Sequence, residues 1–88
     1  MAHVIFTSHL KHVAPGEAVT GTGATVGDVL ADVFSRHSAL RGYILDDQDR
    51  LRVHVAIFVD GVHVRRNALS HPMTPHSELH VLQALSGG

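Results

Sequence analysis

A single apolar stripe at helical spacing limits the folds open to the rest of this chain. Val26, Val29, Leu30, Val33 and Phe34 fall at i, i+3, i+4, i+7 and i+8, and Asp28, Asp32 and Arg36 lie off that line. Thr25, three residues before Asp28, has the form of an acidic capping box. Its hydroxyl can accept a backbone N–H at the helix start, and the carboxylate sits near the positive end of the helix dipole. Such a stripe is a core-facing surface, so packing is its role and no chemistry is assigned to it.

The segments around the helix read as strands. His3-Val4-Ile5-Phe6-Thr7 is β-branched and aromatic, with Val4 and Phe6 on one face. Pro15-Gly16 signals a turn, after which Glu17-Ala18-Val19-Thr20 can return as a short second strand. Val53, Val55, Ile57 and Val59 alternate with His54, Ala56 and Phe58, which predicts a strand with one buried face. Asp60-Gly61 follows as a type I′ hairpin signal, and Val62-His63-Val64 pairs back. Two X-Pro pairs, His71-Pro72 and Thr74-Pro75, keep the next stretch irregular. Leu79-His80-Val81-Leu82 is the last strand. Residues 38 to 52 are expected to form a mostly exposed connection, pinned by Leu40, Tyr43, Ile44 and Leu45. One helix can bury one stripe only against one face of a mixed sheet, so the expected class is a two-layer α+β domain.

Composition narrows the function. At 88 residues the chain makes one domain with a modest core, and with no cysteine it has no disulfide, thiol nucleophile or thiolate metal site. A net charge of −1, from seven basic and eight acidic residues scattered along the chain, leaves no footprint for nucleic acid or anionic lipid. No apolar run approaches the roughly 18 residues of a membrane span, and Met1-Ala2-His3-Val4 lacks a signal-peptide layout, so a cytoplasmic location and protein partners are expected.

Phe58-Val59-Asp60-Gly61, Val64-Arg65 and the run Glu78-Leu79-His80-Val81-Leu82-Gln83-Ala84-Leu85-Ser86-Gly87-Gly88 resemble the C-terminal half of the MoaD/ThiS family of ubiquitin-like sulfur carriers. Thr25-Val26-Gly27-Asp28-Val29-Leu30 is similar to that family's helix start, and the stretch from Leu40-Arg41 to Leu51-Arg52 resembles the longer loop of its sulfur-transfer members. Gln83, where many members carry proline, departs from the pattern, as do His76-Ser77 and His63. The resemblance implies a β-grasp domain over residues 1 to 83, with a mixed sheet of four to five strands and one main helix on one face. A flexible diglycine tail over residues 84 to 88 would follow.

It also implies a function. An E1-like enzyme would adenylate the Gly88 carboxylate, and a sulfur donor would convert it to a thiocarboxylate that a biosynthetic enzyme consumes. The acceptor could be a molybdopterin, cysteine or thiamin precursor or a related metabolite. The chain would then be a protein cosubstrate, or the small subunit of a sulfur-transfer enzyme, rather than an enzyme itself. It would bind no cofactor, and the ATP would belong to the activating partner. The chain carries no Gly-rich loop ending in Lys-Ser or Lys-Thr. Glycine has no Cβ, so Gly87 and Gly88 suit a narrow channel, with Ser86, Leu85 and Ala84 following them in. At ~3.3 Å per residue, Ala84 to Gly88 reach roughly 15 Å. The alternative is that the diglycine is a frayed end.

Opposite the helix, the sheet is expected to present Phe58, Ala56, His80, Leu82 and Ala84, with Ile5 beside them. This would be a partner surface unless the loop around Tyr43 and Ile44 covers it. The nine histidines include two sequence clusters, His9 with His12, and His71 with His76 and His80. No metal-site motif organises them, so solvated or partly packed imidazoles are expected. His54 and His80 alternate with apolar neighbours and are placed on the outer sheet face, where they could make docking sensitive to pH. Two other functions stay open: a ubiquitin-like modifier joined through Gly88 to target lysines, and a histidine-rich metal- or protein-binding module.

Overall fold

The computed structural model describes residues 1–6 and 19–83. Residues 7–18 and 84–88 lie outside the described set, and with them the Pro15-Gly16 turn, His9, His12 and the whole diglycine tail. Five strands form one mixed sheet: β1 (Ala2–Phe6), β2 (Val19–Gly21), β3 (Val55–Val59), β4 (Val62–Val64) and β5 (Glu78–Gln83). Their order is β2-β1-β5-β3-β4. β5 lies parallel to β1 and antiparallel to β3, while β2 and β4 pair antiparallel at the two edges. The helix α1 (Val26–Arg36) packs on one face.

Alternation decides which side chains meet the helix. Ala2, Val4 and Phe6 on β1, Ile57 and Val59 on β3, and Leu79 and Val81 on β5 are all buried. They meet the α1 stripe, in which Val26, Val29 and Val33 have no exposed surface. Thr25 caps the helix, its Oγ1 accepting the Asp28 N–H at 3.2 Å. Asp32 and Arg36, off the stripe, fasten α1 to β2. Asp32 Oδ2 accepts the Thr22 N–H at 2.9 Å, and Arg36 Nη2 donates to the Thr20 carbonyl at 2.6 Å and to Asp32 at 3.1 Å.

One expectation is filled in and one needs correction. The connection over residues 38 to 52 contains a 3₁₀ turn (Ser38–Leu40) and a single helical turn, α2 (Arg41–Ile44). Leu40 and Ile44, one turn apart, are fully buried in the same core as α1. They therefore draw the segment toward the helix side, and it does not cover the opposite face of the sheet. Val53 and His54 are not part of β3. The Val55 N–H donates to the Arg52 carbonyl at 3.0 Å, which closes a turn there and leaves Val53 92% exposed. Their alternation continues the strand pattern, but the turn between Arg52 and Val55 takes them out of the strand.

The segment before β5 is zipped onto the approach to α1. Val26 N–H donates to the His71 carbonyl and Met73 N–H to the Ala24 carbonyl, at 3.0 and 2.9 Å. Among the described residues no helix is long and apolar enough to cross a membrane.

Candidate functional site: the outer sheet face at the β3–β4 hairpin

Because β3, β4 and β5 expose alternate residues away from α1, their registers assemble one outer surface. Ala56 pairs with Leu82, Phe58 with His80 on one side and His63 on the other, and Ile5 with His80 across the parallel junction. Phe58, Ala56, His80 and Leu82 are each half-buried, and Ile5 is exposed. All of these residues stand where alternation predicted. Ala84, the last residue assigned to this patch, lies outside the described residues, as do the tail residues Leu85, Ser86, Gly87 and Gly88.

The hairpin turn shapes the surface. Asp60 (φ 50°) and Gly61 (φ 84°) both take the left-handed backbone that a type I′ turn requires. A two-residue turn puts Phe58 directly opposite His63, and the two rings stack with centroids 4.7 Å apart and planes 15° from parallel. Gly61, Phe58, His80 and Leu82 line a shallow apolar groove of about 270 Å³. With no side chain at Gly61, the rim of that groove is open to an incoming group.

Polar contacts fix the start of β5 under the hairpin. Asp60 Oδ1 accepts the Glu78 N–H at 2.8 Å, and the Asp60 N–H donates to the Glu78 carbonyl at 2.9 Å. His80 Nε2 stands 3.4 Å from Glu78 Oε1, on the outer side of β5. Just upstream, the buried Ser77 has its hydroxyl satisfied by Thr74, and its carbonyl accepts the His3 N–H at 3.1 Å. The sequence reading missed the His63 ring as part of this face and the clasp between Asp60 and Glu78. Both were available in principle. The Asp60-Gly61 turn sets the Phe58–His63 register, and an Asp at the first turn position has a carboxylate free to reach a neighbouring backbone N–H.

The face is suited to docking rather than to bond-making. It presents aromatic and aliphatic surface with a peripheral imidazole and carboxylate, an arrangement that fits a protein partner. Among the described residues no three His, Asp or Glu side chains converge in a way that could hold a metal ion. His71 and His76 are not drawn toward His80 into a common site. β5 carries the chain past this face to Gln83, paired with Val55, from which residues 84 to 88 continue.

Comparison with known proteins agrees with this architecture. The sequence matches the ThiS family over residues 4–88. No curated protein matches it. Among solved structures, it is similar to CysO in the Amycolatopsis orientalis BexX/CysO complex, at 28% identity and a TM-score of 0.86, with all of both chains covered. SAMP1 from Haloferax volcanii is 27% identical, with a TM-score of 0.81 over 99% of this chain and 98% of that one. Mycobacterium tuberculosis CysO shares the fold, with a TM-score of 0.84 over 97% of this chain and 100% of that one, at 22% identity. With its five-stranded mixed sheet, its single long helix and a family match through nearly its whole length, the chain belongs to the ThiS family of ubiquitin-like, β-grasp carriers and modifiers.

Proposed function

We propose that this protein is a sulfur carrier loaded at the Gly88 carboxylate and unloaded by a biosynthetic enzyme. An E1-like partner supplies ATP. A carboxylate oxygen of Gly88 attacks the α-phosphorus, pyrophosphate leaves, and an acyl adenylate forms. A sulfide-level donor then attacks the carbonyl carbon, the C–O bond to AMP breaks, and a C–S bond takes its place. The resulting thiocarboxylate gives up its sulfur to the acceptor. The chain acts as a cosubstrate and contributes the terminus, while the ATP-binding and acid–base groups belong to the partners. A cytoplasmic setting, where ATP and reduced sulfur are at hand, goes with this reading.

The family match running to residue 88 carries this proposal. In support, β5 leads the chain to Gln83 beside an apolar face that a partner enzyme can grip through Phe58, Leu82, His80 and Ala56. The solved complex of the similar CysO with BexX supports a protein as the kind of molecule engaged. A second reading, a modifier joined through Gly88 to lysines of other proteins, is favoured by the likeness to SAMP1, a small archaeal modifier protein.

Intact-mass measurement after incubation with ATP, an E1-like enzyme and sulfide tests the proposal. The expected result is a product heavier by the difference between sulfur and oxygen, located at Gly88. Deleting Gly88, or appending one residue after it, should abolish the product without changing the melting temperature. Retained loading in either variant defeats the carrier reading, and chain-sized adducts on lysate proteins would favour the modifier.

A further inference from the structure

β4 is shorter than the strand it pairs with. It meets β3 over Ile57 to Val59, whereas β5 meets β3 from Val55 to Val59. Among the described residues Val55 and Ala56 therefore have a strand on one side only, and the Val55 N–H is taken by the Arg52 carbonyl. The space beside them is a groove of about 690 Å³, bounded by the Arg50–Val53 segment, the end of β4 and the 3₁₀ turn Ala68–Ser70. Its floor is aliphatic, since Leu51, Val55, Val64 and Leu69 are partly buried against the core.

The rim is cationic. Arg50, Arg52 and Arg65 line the groove, three of the chain's seven basic residues, and none of the described lining residues is acidic. Arg52 is held in place by its Nε, which donates to the Gly42 carbonyl at 2.8 Å. Arg50 has one distant counter-ion, Asp46 at 3.6 Å. Arg65 is exposed and makes no hydrogen bond or ion pair among the described residues. On a chain of net charge −1, this gathers three arginines at one rim, offset in part by Asp46 beside Arg50.

We propose that this groove receives an extended, acidic segment of the protein that takes up the chain's end. The aliphatic floor can take the apolar side chains of such a segment, and the arginines can pair with its carboxylates. Nucleic acid is disfavoured. The only aromatic ring in the lining is that of His63, already stacked on Phe58, so no platform is left for a base. Position names the partner: Gln83 pairs with Val55 from the other side of β3, one strand spacing of about 4.8 Å away. A protein that grips the chain at Gln83 therefore stands close to this rim. The identity of the partner rests on the carrier reading, whereas the chemistry of the groove does not.

Two measurements test it. The first is an NMR titration of the full ¹⁵N-labelled chain with a capped peptide alternating glutamate and valine. Parallel titrations use the lysine–valine peptide, oligothymidylate and inorganic tripolyphosphate. The glutamate peptide should shift the amides of Val55, Ala56 and residues 64 to 69, the lysine peptide should not, and Arg50→Gln with Arg65→Gln should weaken binding about tenfold. No shift, shifts confined to other surfaces, or an equal response to oligothymidylate or tripolyphosphate would overturn the proposal. The second is the loading assay, in which the double variant should raise the KM for the carrier about tenfold at low salt with kcat retained. An unchanged KM also overturns it. If the wild-type chain is not loaded at all, the carrier reading fails while the peptide titration still decides the groove.

Discussion

Asp46 shows how one side chain can organise the approach to β3. Its Oδ1 accepts the N–H of Gln48 at 2.8 Å and of Arg50 at 3.0 Å, and its backbone N–H donates to the Arg50 carbonyl. The backbone bonds from Arg50 and Gln48, with a smaller contribution from the guanidinium charges of Arg50 and Arg52, hold its carboxyl below the usual value. Because folding lowers this pKa, the turn's contribution to stability is in place above the unfolded value, about 3.9. It is lost as pH falls through the lower folded value. Asp46→Asn keeps the shape of the turn and removes the titration. Its urea midpoint should therefore change less than that of the wild type between about pH 5 and pH 3. Equal pH slopes for the two proteins would show that this carboxyl titrates alike in both states.

At the scale of elements, the junction between β2 and α1 is the tightest joint described. A Cβ on Gly23 would land on Asp28 Cβ and lie 2.7 Å from the Val29 nitrogen, whereas at Gly42, on α2, it would meet nothing within 4 Å. Gly23→Ala should thus lower stability by about 1–3 kcal/mol. Gly42→Ala should leave the thermal midpoint unchanged or raise it, so a pair of melts checks both. Where an element repeats a period over several residues, its sequence announces it. The α1 stripe, the alternation from Val55 to Val59 and the Asp60-Gly61 turn all appear in the structure as read. Leu40 and Ile44 were legible as anchors, but two apolar residues four apart are too few to announce the helical turn that their burial folds. Val53 and His54 misled for the opposite reason: they keep the period of β3 but sit in the turn that precedes it. The roles of Asp32 and Arg36 were hidden because polar residues off an apolar stripe look alike whether they face water or a neighbouring strand.

For the whole molecule, β5 is the decisive piece. It lies between β1 and β3, and Leu79 and Val81 are fully buried. All core side chains described lie at or before residue 81. Ending the chain after Gln83 should therefore preserve the circular dichroism spectrum and melting temperature, whereas ending it after Ser77 should abolish cooperative unfolding. A large loss of stability in the first truncation would mean that residues 84 to 88 contribute to the core. The outer face was legible in the sequence because it is the complement of the buried one. The cationic groove was not, because Arg50, Arg52 and Arg65 come together only when β4 stops short and the chain wraps under β3. The central place of β5 also bears on how the protein is made. A nascent chain on the ribosome can form the β1–β2 and β3–β4 pieces early, but each keeps a naked flank until residues 78 to 83 emerge to join them. Products of interrupted translation would stay unfolded and fall to proteases. Any partner that recognises the finished sheet would then meet only polypeptides synthesised through that strand.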